Sequence, residues 1–307
     1  MTGLTNRLVP FFPAVFVLLW STGFVGARYA MPHAEPFTFL ALRFALALIL
    51  LLPVGWVLVR ASGGVPLRPL AHATFAGSLI HGVYLGGVFY AVRHGLPAGI
   101  VALVAGLQPF LTAVIARVAL GEKLTRRHQV GLLIGLVGVF LVVAPKLGTG
   151  AAFGARTLVP ALLGVAAIAL GTVWQKRFVT GLDLRVGAAA QYAGALVPVL
   201  VAALASETMH IDWTAELVLS LLWLTLALSI GAVLLLLLLI RNGSVSSVAS
   251  LFYLVPSVTA FMAFVLFGER LTPIQLLGMV VAAAGVWLAT RPPKRKAETK
   301  DRVSQTV

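Results

Sequence analysis

Apolar residues in this chain come in long unbroken runs such as Val233 to Ile240, not at alternate positions or in a stripe recurring every three or four residues. Such runs are apolar on every side, which suits a helix surrounded by lipid or by other helices. Charge, glycine and proline mark off ten of them, at residues 9–30, 37–59, 71–92, 97–119, 127–145, 157–177, 185–206, 215–240, 245–267 and 273–290. About 20 apolar residues in helix cross a hydrocarbon layer ~30 Å thick, so each run is predicted to be a transmembrane helix. The missing alternation excludes a membrane β-barrel. The expected fold class is an all-α membrane protein of ten transmembrane helices.

The pattern then repeats. Gly121-Glu122-Lys123-Leu124-Thr125 returns 147 positions later as Gly268-Glu269-Arg270-Leu271-Thr272, Pro109 returns as Pro256, and Gly131 and Gly138 return as Gly278 and Gly285. One more residue of offset aligns Gly23 with Gly171, Arg28 with Lys176 and Gly95 with Gly243. The predicted organisation is a first five-helix half over 1–148, a second over 149–290 and a basic tail over 291–307. Five crossings are an odd number, so the second half is expected to thread the bilayer upside down. Two five-helix inverted repeats of this kind are an arrangement associated with transporters.

Composition narrows the class. Of 307 residues, 60% are apolar and 10% charged, with mean hydropathy +1.02 and a formal charge of +14. In a soluble protein that charge would suggest nucleic acid, but stacking aromatics are not interleaved with the basic residues, and no nucleic acid is expected. Lys and Arg collect instead in alternate connections (Arg60 and Arg68, Lys123 to Arg127, Arg177 and Arg185) and in the tail from Arg291. That bias places both termini in the cytosol. The connection from Ser206 to Glu216 holds Glu207 and Asp212 but no Lys or Arg, as expected outside. Arg7 followed by an apolar stretch without a cleavage site reads as a retained first span.

Several chemistries lack material. With no cysteine, disulfides, iron-sulfur clusters and thiolate zinc sites are excluded. No Gly-Lys-Ser/Thr phosphate loop is present, which excludes ATP-driven transport within this chain. His33, His72, His94, His128 and His210 are scattered over span ends and loops, so neither a metal site nor a Ser-His-Asp set is visible. An intramembrane enzyme is the alternative this disfavours, and neither catalysis nor a cofactor is expected. A channel would need a continuous polar stripe, which no span shows.

Polar and aromatic residues at mid-depth are the candidate substrate contacts: Trp20 and Ser21 in the first span, His81 and Tyr84 in the third, Gln108 in the fourth, Gln191 and Tyr192 in the seventh, and Tyr253 and Thr259 in the ninth. No Asp or Glu falls inside a span, so carboxylate sodium sites and acidic proton relays are absent. His81 either carries a proton during transport or sits neutral against a backbone carbonyl. Arg43 lies two turns into the second span, where it can snorkel outward or point inward and attract a substrate carboxylate. Pro109 and Pro256 interrupt corresponding spans, each either a kink satisfied by a neighbour or a break lining a cavity between the halves. With Gly82, Gly86, Gly87, Gly99 and Gly106 they are the expected hinges. Gly131, Gly135 and Gly138, and Gly278, Ala282 and Gly285, give the fifth and tenth spans small faces. These read as an intramolecular scaffold, with a homodimer contact as the alternative, so a monomer is preferred.

Leu19-Trp20-Ser21-Thr22-Gly23-Phe24, Leu42-Arg43-Phe44 and the twice-used run from proline through Gly-Glu-(Lys/Arg)-Leu-Thr to a small-residue final helix resemble the drug/metabolite transporter superfamily. More narrowly, residues 9–290 resemble EamA-type ten-helix carriers, most similar to the YddG-like amino-acid exporters of bacterial inner membranes. The resemblance implies a central cavity among spans one to four and six to nine, with the fifth and tenth set aside as support. It implies export of small metabolites, amino acids first, with drugs or other metabolites as the alternative cargo. Trp20, Tyr84 and Tyr253 would then face amino-acid side chains.

Overall fold

The computed structural model describes residues 9–61, 63–94, 96, 101, 104–146, 154–268 and 270–290. Gly95, Gly99, Glu269 and the basic tail lie outside the described residues. The described chain forms ten helices: α1 (Phe12–Ala30), α2 (Pro36–Ala61), α3 (Leu67–Arg93), α4 (Gln108–Leu120), α5 (Arg126–Val143), α6 (Ala155–Phe178), α7 (Leu184–Ser206), α8 (Ala215–Asn242), α9 (Val245–Phe267) and α10 (Pro273–Thr290). All but α4 are long and apolar enough to cross a membrane. No strand occurs among the described residues. A lone antiparallel bridge joins Ala34 to Ile211.

The helices begin and end where local chemistry dictates. In each Gly-Glu-basic-Leu-Thr corner the glycine takes the left-handed conformation that stops a helix, at φ 68° for Gly121 and 65° for Gly268. The threonine then starts the next helix. Thr125 Oγ1 accepts from the His128 N–H, and Thr272 and Gln275 cap one another reciprocally at 3.0 and 3.3 Å. One expected start was displaced. α3 begins at Leu67, ahead of residue 71, because Arg68 and Pro69 fall in a first turn whose N–H groups need no helical partner.

Pro109 occupies the first turn of α4, after a turn at Gly106 and Leu107. Pro256 lies in the middle of α9, just after a 3₁₀ turn at Leu251–Tyr253. Both prolines therefore follow a local interruption and fall in the first turn after it, where an N–H has no helical partner to lose.

Helices α5 and α10 pack antiparallel at backbone distance. A Cβ on Gly138 would lie 2.3 Å from the Ala282 nitrogen, and one on Gly285 2.3 Å from the Gly135 nitrogen. His128 Nδ1–H donates to the Ala289 carbonyl at 2.8 Å at one end, and Gln275 Nε2 donates to the Val142 carbonyl at 3.2 Å at the other. The two corners consequently sit at opposite ends of this pair. In the rest of the bundle α7 packs on α2 and α3, α6 on α3 and α4, and α1 on α8 and α9.

Two carboxylates fasten the first half to the second. Glu122, after α4, accepts from the Val245 and Ser246 N–H groups at the start of α9. Glu207, after α7, accepts from the Phe37 and Thr38 N–H groups at the start of α2. Each satisfies helix N-terminal donors that have no partner within their own helix, and its charge faces the positive end of the helix dipole.

Candidate functional site

Helix α3 meets α7 where both carry glycine: Cβ atoms on Gly77 and Gly194 would fall 2.1 Å from the Gln191 carbonyl oxygen and 2.0 Å from the Thr74 oxygen. That approach drives the side chains one turn on, His81 and the Gln191–Tyr192 pair, into direct contact. Residues Ser78–Val83 of α3 form a π-helical turn, and so do Leu224–Ala232 of α8. A π turn inserts an extra residue into the ladder, which rotates the side chains around it and is frequent at functional sites.

Both widened turns feed one buried polar seam. His81 Nε2–H donates to Gln191 Oε1 at 3.1 Å, and Gln191 Nε2 donates to Gln175 Oε1 of α6 at 2.9 Å. The His81 ring stacks on Tyr192 with centroids 5.0 Å apart, while Tyr192 donates its hydroxyl to the Ser229 carbonyl. Arg43 Nε donates to Ser229 Oγ at 2.8 Å. Phe44 closes one flank against the His81 and Tyr192 rings. All six polar residues are buried. At ~1.5 Å of rise per residue, His81 and Ser229 lie about 20 Å from either end of their helices, at mid-depth.

The structure thus brings Arg43, His81, Gln191 and Tyr192 together. Arg43 points inward and is 7% exposed. The partner of His81 is a glutamine side chain, not a backbone carbonyl. Trp20 is only half-buried and packs against four of the five apolar clusters, which puts it at the centre of the bundle.

The other candidates lie elsewhere. Tyr84 belongs to the apolar cluster against α6, since the π turn swings it away from His81. Tyr253 packs its ring over Gly135 of α5, and Ser21 donates back to Val17 in its own helix. Thr259 donates to the Ser21 carbonyl at 3.5 Å. Gln108 Nε2, the Tyr253 hydroxyl and the Ser257 hydroxyl are buried without hydrogen-bond partners. Of the expected hinges, Gly82 and Gly87 are close-approach points against Pro198 and Pro160.

Sequence reasoning missed Gln175 and Ser229. Ser229 had a signal: it stands 148 residues after His81, the offset that aligns Gly95 with Gly243. Gln175 lay beside Lys176 and Arg177 near a span end and was not singled out. One groove in the structure is lined by Asp183, Arg185, Leu234, Leu238 and Arg241, and another by Val104, Leu107, Val137 and Phe140. The seam residues line neither.

Comparisons with known proteins agree with a transport architecture. The model of the EamA-like transporter family matches residues 10–144 and again 156–291. The chain is 30% identical to the "Uncharacterized inner membrane transporter YedA" of Escherichia coli (strain K12), over 93% of this chain and 92% of that one. It is 27% identical to the "Probable amino-acid metabolite efflux pump" of Salmonella typhimurium (strain LT2), over 92% and 95% respectively. A solved structure, "Crystal structure of protein", superposes with a TM-score of 0.75 at 20% identity, covering 91% of this chain and 95% of that one, a likeness of fold alone.

Proposed function

The chain belongs to the EamA-like transporter family, and from that premise we propose that it exports small metabolites, amino acids first, across the bacterial inner membrane by alternating access around the α2–α3–α7–α8 seam. The observation that carries this is the buried polar chain from Arg43 through Ser229, Tyr192 and His81 to Gln191 and Gln175. A hydrogen-bonding side chain inside a membrane bundle is costly unless it serves a pathway or a partner. Here six form one connected buried chain. Relatives whose names include an inner membrane transporter and an amino-acid efflux pump support the direction and the cargo.

In this reading the five-helix halves are inverted repeats, with α5 and α10 as the fixed frame. The antiparallel packing of those two helices supports it. Interruptions before Pro109 and Pro256, and the two π turns, are where α3, α4, α8 and α9 change shape to open the seam to one side and then the other. The protein works as a monomer with both termini in the cytosol.

The test is counterflow in proteoliposomes with a panel of amino acids and common drugs. Uptake of amino acids that falls at least tenfold in Gln191→Leu and His81→Ala, with insertion unchanged, is expected. Uptake of drugs alone transfers the reading to multidrug efflux. Wild-type flux in both variants removes the seam from the pathway.

A further inference from the structure

Resting on the seam as the cargo site, we infer that Arg43 anchors an anionic group of the cargo, so that the substrate class is carboxylates, zwitterionic amino acids included, and excludes amines that lack an acid group. Arg43 lies about 10 Å below the start of α2, counted at ~1.5 Å per residue, and is 7% exposed. A guanidinium has five N–H donors. Among the described residues only Ser229 takes one, at 2.8 Å, and the other four are unassigned.

Its positive charge also has no counter-ion among the described residues. The chain has 9 Asp and Glu, and each described one is engaged at a helix end or loop. Glu122 and Glu207 hold helix N-termini, Glu35 holds Thr208 and Arg93, Asp183 pairs with Arg185, Asp212 with His210 and Glu216 with His33. The remainder, Glu269, Glu298 and Asp301, lie outside the described residues.

A buried cation without a counter-ion is among the most expensive features a bundle can carry. A carboxylate arriving from solution supplies what is missing, and the planar fork of Arg can grip both of its oxygens. Ser229 is the positioning residue. It takes Nε and leaves the two Nη groups for the cargo, and it stands within the π turn of α8. Tyr192 fixes the same residue through its carbonyl.

The experiment uses full-length protein in proteoliposomes and compares each of several amino acids and 2-oxo acids with its own amide. Wild type should prefer the acid over the amide by about tenfold or more, the scale of one charge-assisted bidentate contact. Arg43→Gln should bring that ratio near one, Arg43→Lys should keep part of it, and Ser229→Ala should weaken apparent affinity for the acid while sparing the maximal rate. If Arg43→Gln is recovered in poor yield, the Lys and Ala variants carry the test. A wild type that moves amides as fast as acids, or moves neither, overturns the assignment, as does an unchanged ratio in Arg43→Lys and Ser229→Ala together. If His81→Ala and Gln191→Leu lose transport while the ratio survives every Arg43 and Ser229 variant, the seam stands and the anchor falls. Wild-type flux in His81→Ala and Gln191→Leu removes the seam itself.

Discussion

The α5–α10 pair and the α3–α7–α8 seam solve the same problem, helices held together in lipid, in opposite ways. Lipid tails are as apolar as leucine, so helices associate through close packing and hydrogen bonds, not through escape from water. The α5–α10 pair relies on packing: regular helices of 18 residues each, glycine against backbone along the crossing, and side-chain hydrogen bonds from His128 and Gln275 only at its ends. The seam relies on hydrogen bonds, and its two longest helices give up regular geometry to make them. Interlocked glycine faces have one arrangement. The seam is held instead by a π turn in each of two helices and by a string of amides and hydroxyls.

The largest effect expected is on the frame. A methyl group at Gly138 would meet the Ala282 backbone at 2.3 Å, with no flexible neighbour to yield. Gly138→Ala should destabilise the protein by about 3 kcal/mol or more, at the upper end of overpacking costs, seen as a fall in midpoint temperature in detergent. The matched substitution in the seam is Gly231→Ala, where the added Cβ meets nothing closer than 3.6 Å. It should be neutral or stabilising by up to about 1 kcal/mol, because alanine is the better helix former. Equal costs at the two sites would erase the distinction between frame and seam.

Next in size is a pair of effects that should separate. Gln191→Leu removes the link between His81 and Gln175 and leaves both without their partner. Side-chain hydrogen bonds within membranes are worth only about 0.6 kcal/mol on average, so the midpoint temperature should hardly move. Transport should drop at least tenfold. A frame variant that lowers yield and a seam variant that lowers flux are the two halves of the comparison.

Depth along the bilayer was legible in the sequence, whereas azimuth around each helix was not. Apolar run length sets how long a helix can be, so nine of the ten expected spans coincide within about four residues with helices long enough to cross a membrane, while the fourth is matched from Gln108 on. The Gly-to-Thr corners were legible too, because a left-handed stop and a hydroxyl cap are written in single residues. His81, Tyr84, Gln108 and Tyr253 were all expected at mid-depth but face different neighbours. Two π turns shift which face of α3 and α8 looks inward, and nothing in hydrophobic periodicity encodes that shift when every face is apolar. Ser229, amid leucines, becomes visible only through its repeat register with His81.

A smaller effect concerns the fastenings between halves. Glu207 accepts from Phe37 N–H at 2.8 Å, Thr38 N–H at 2.7 Å and Thr38 Oγ1 at 2.8 Å. Replacing it with Gln removes the charge that faces the α2 dipole and should cost about 1 kcal/mol, as lost helix caps do. Hydrogen exchange should quicken at the start of α2 and the end of α7 while α5 and α10 stay protected. Faster exchange in α5 and α10 would mean that frame and seam loosen as one unit.

The smallest effect is the pH response of the same end of the bundle, and it tests the comparison without altering any packing. Glu35, in the α1–α2 connection, accepts from the Thr208 N–H at 2.8 Å, from Thr208 Oγ1 at 3.0 Å and from Arg93 at 3.1 Å. Burial pushes its carboxyl upward, but the Thr208 hydrogen bonds and the Arg93 charge outweigh that and hold it below the usual carboxylate range. A depressed folded value means that the stabilisation is complete above the unfolded value, about 4.3 for Glu, and is lost as pH falls through the folded value. Exchange in the 206–212 connection should therefore accelerate on acidification below about pH 4, and Glu35→Gln should show the faster rate at neutral pH with no further acid step of its own. Because this connection ties α2 to α7 and α8, acidification to that point should loosen seam helices before α5 or α10. The reverse order, with the frame exchanging first, would show that the glycine-packed pair is not the more rigid part.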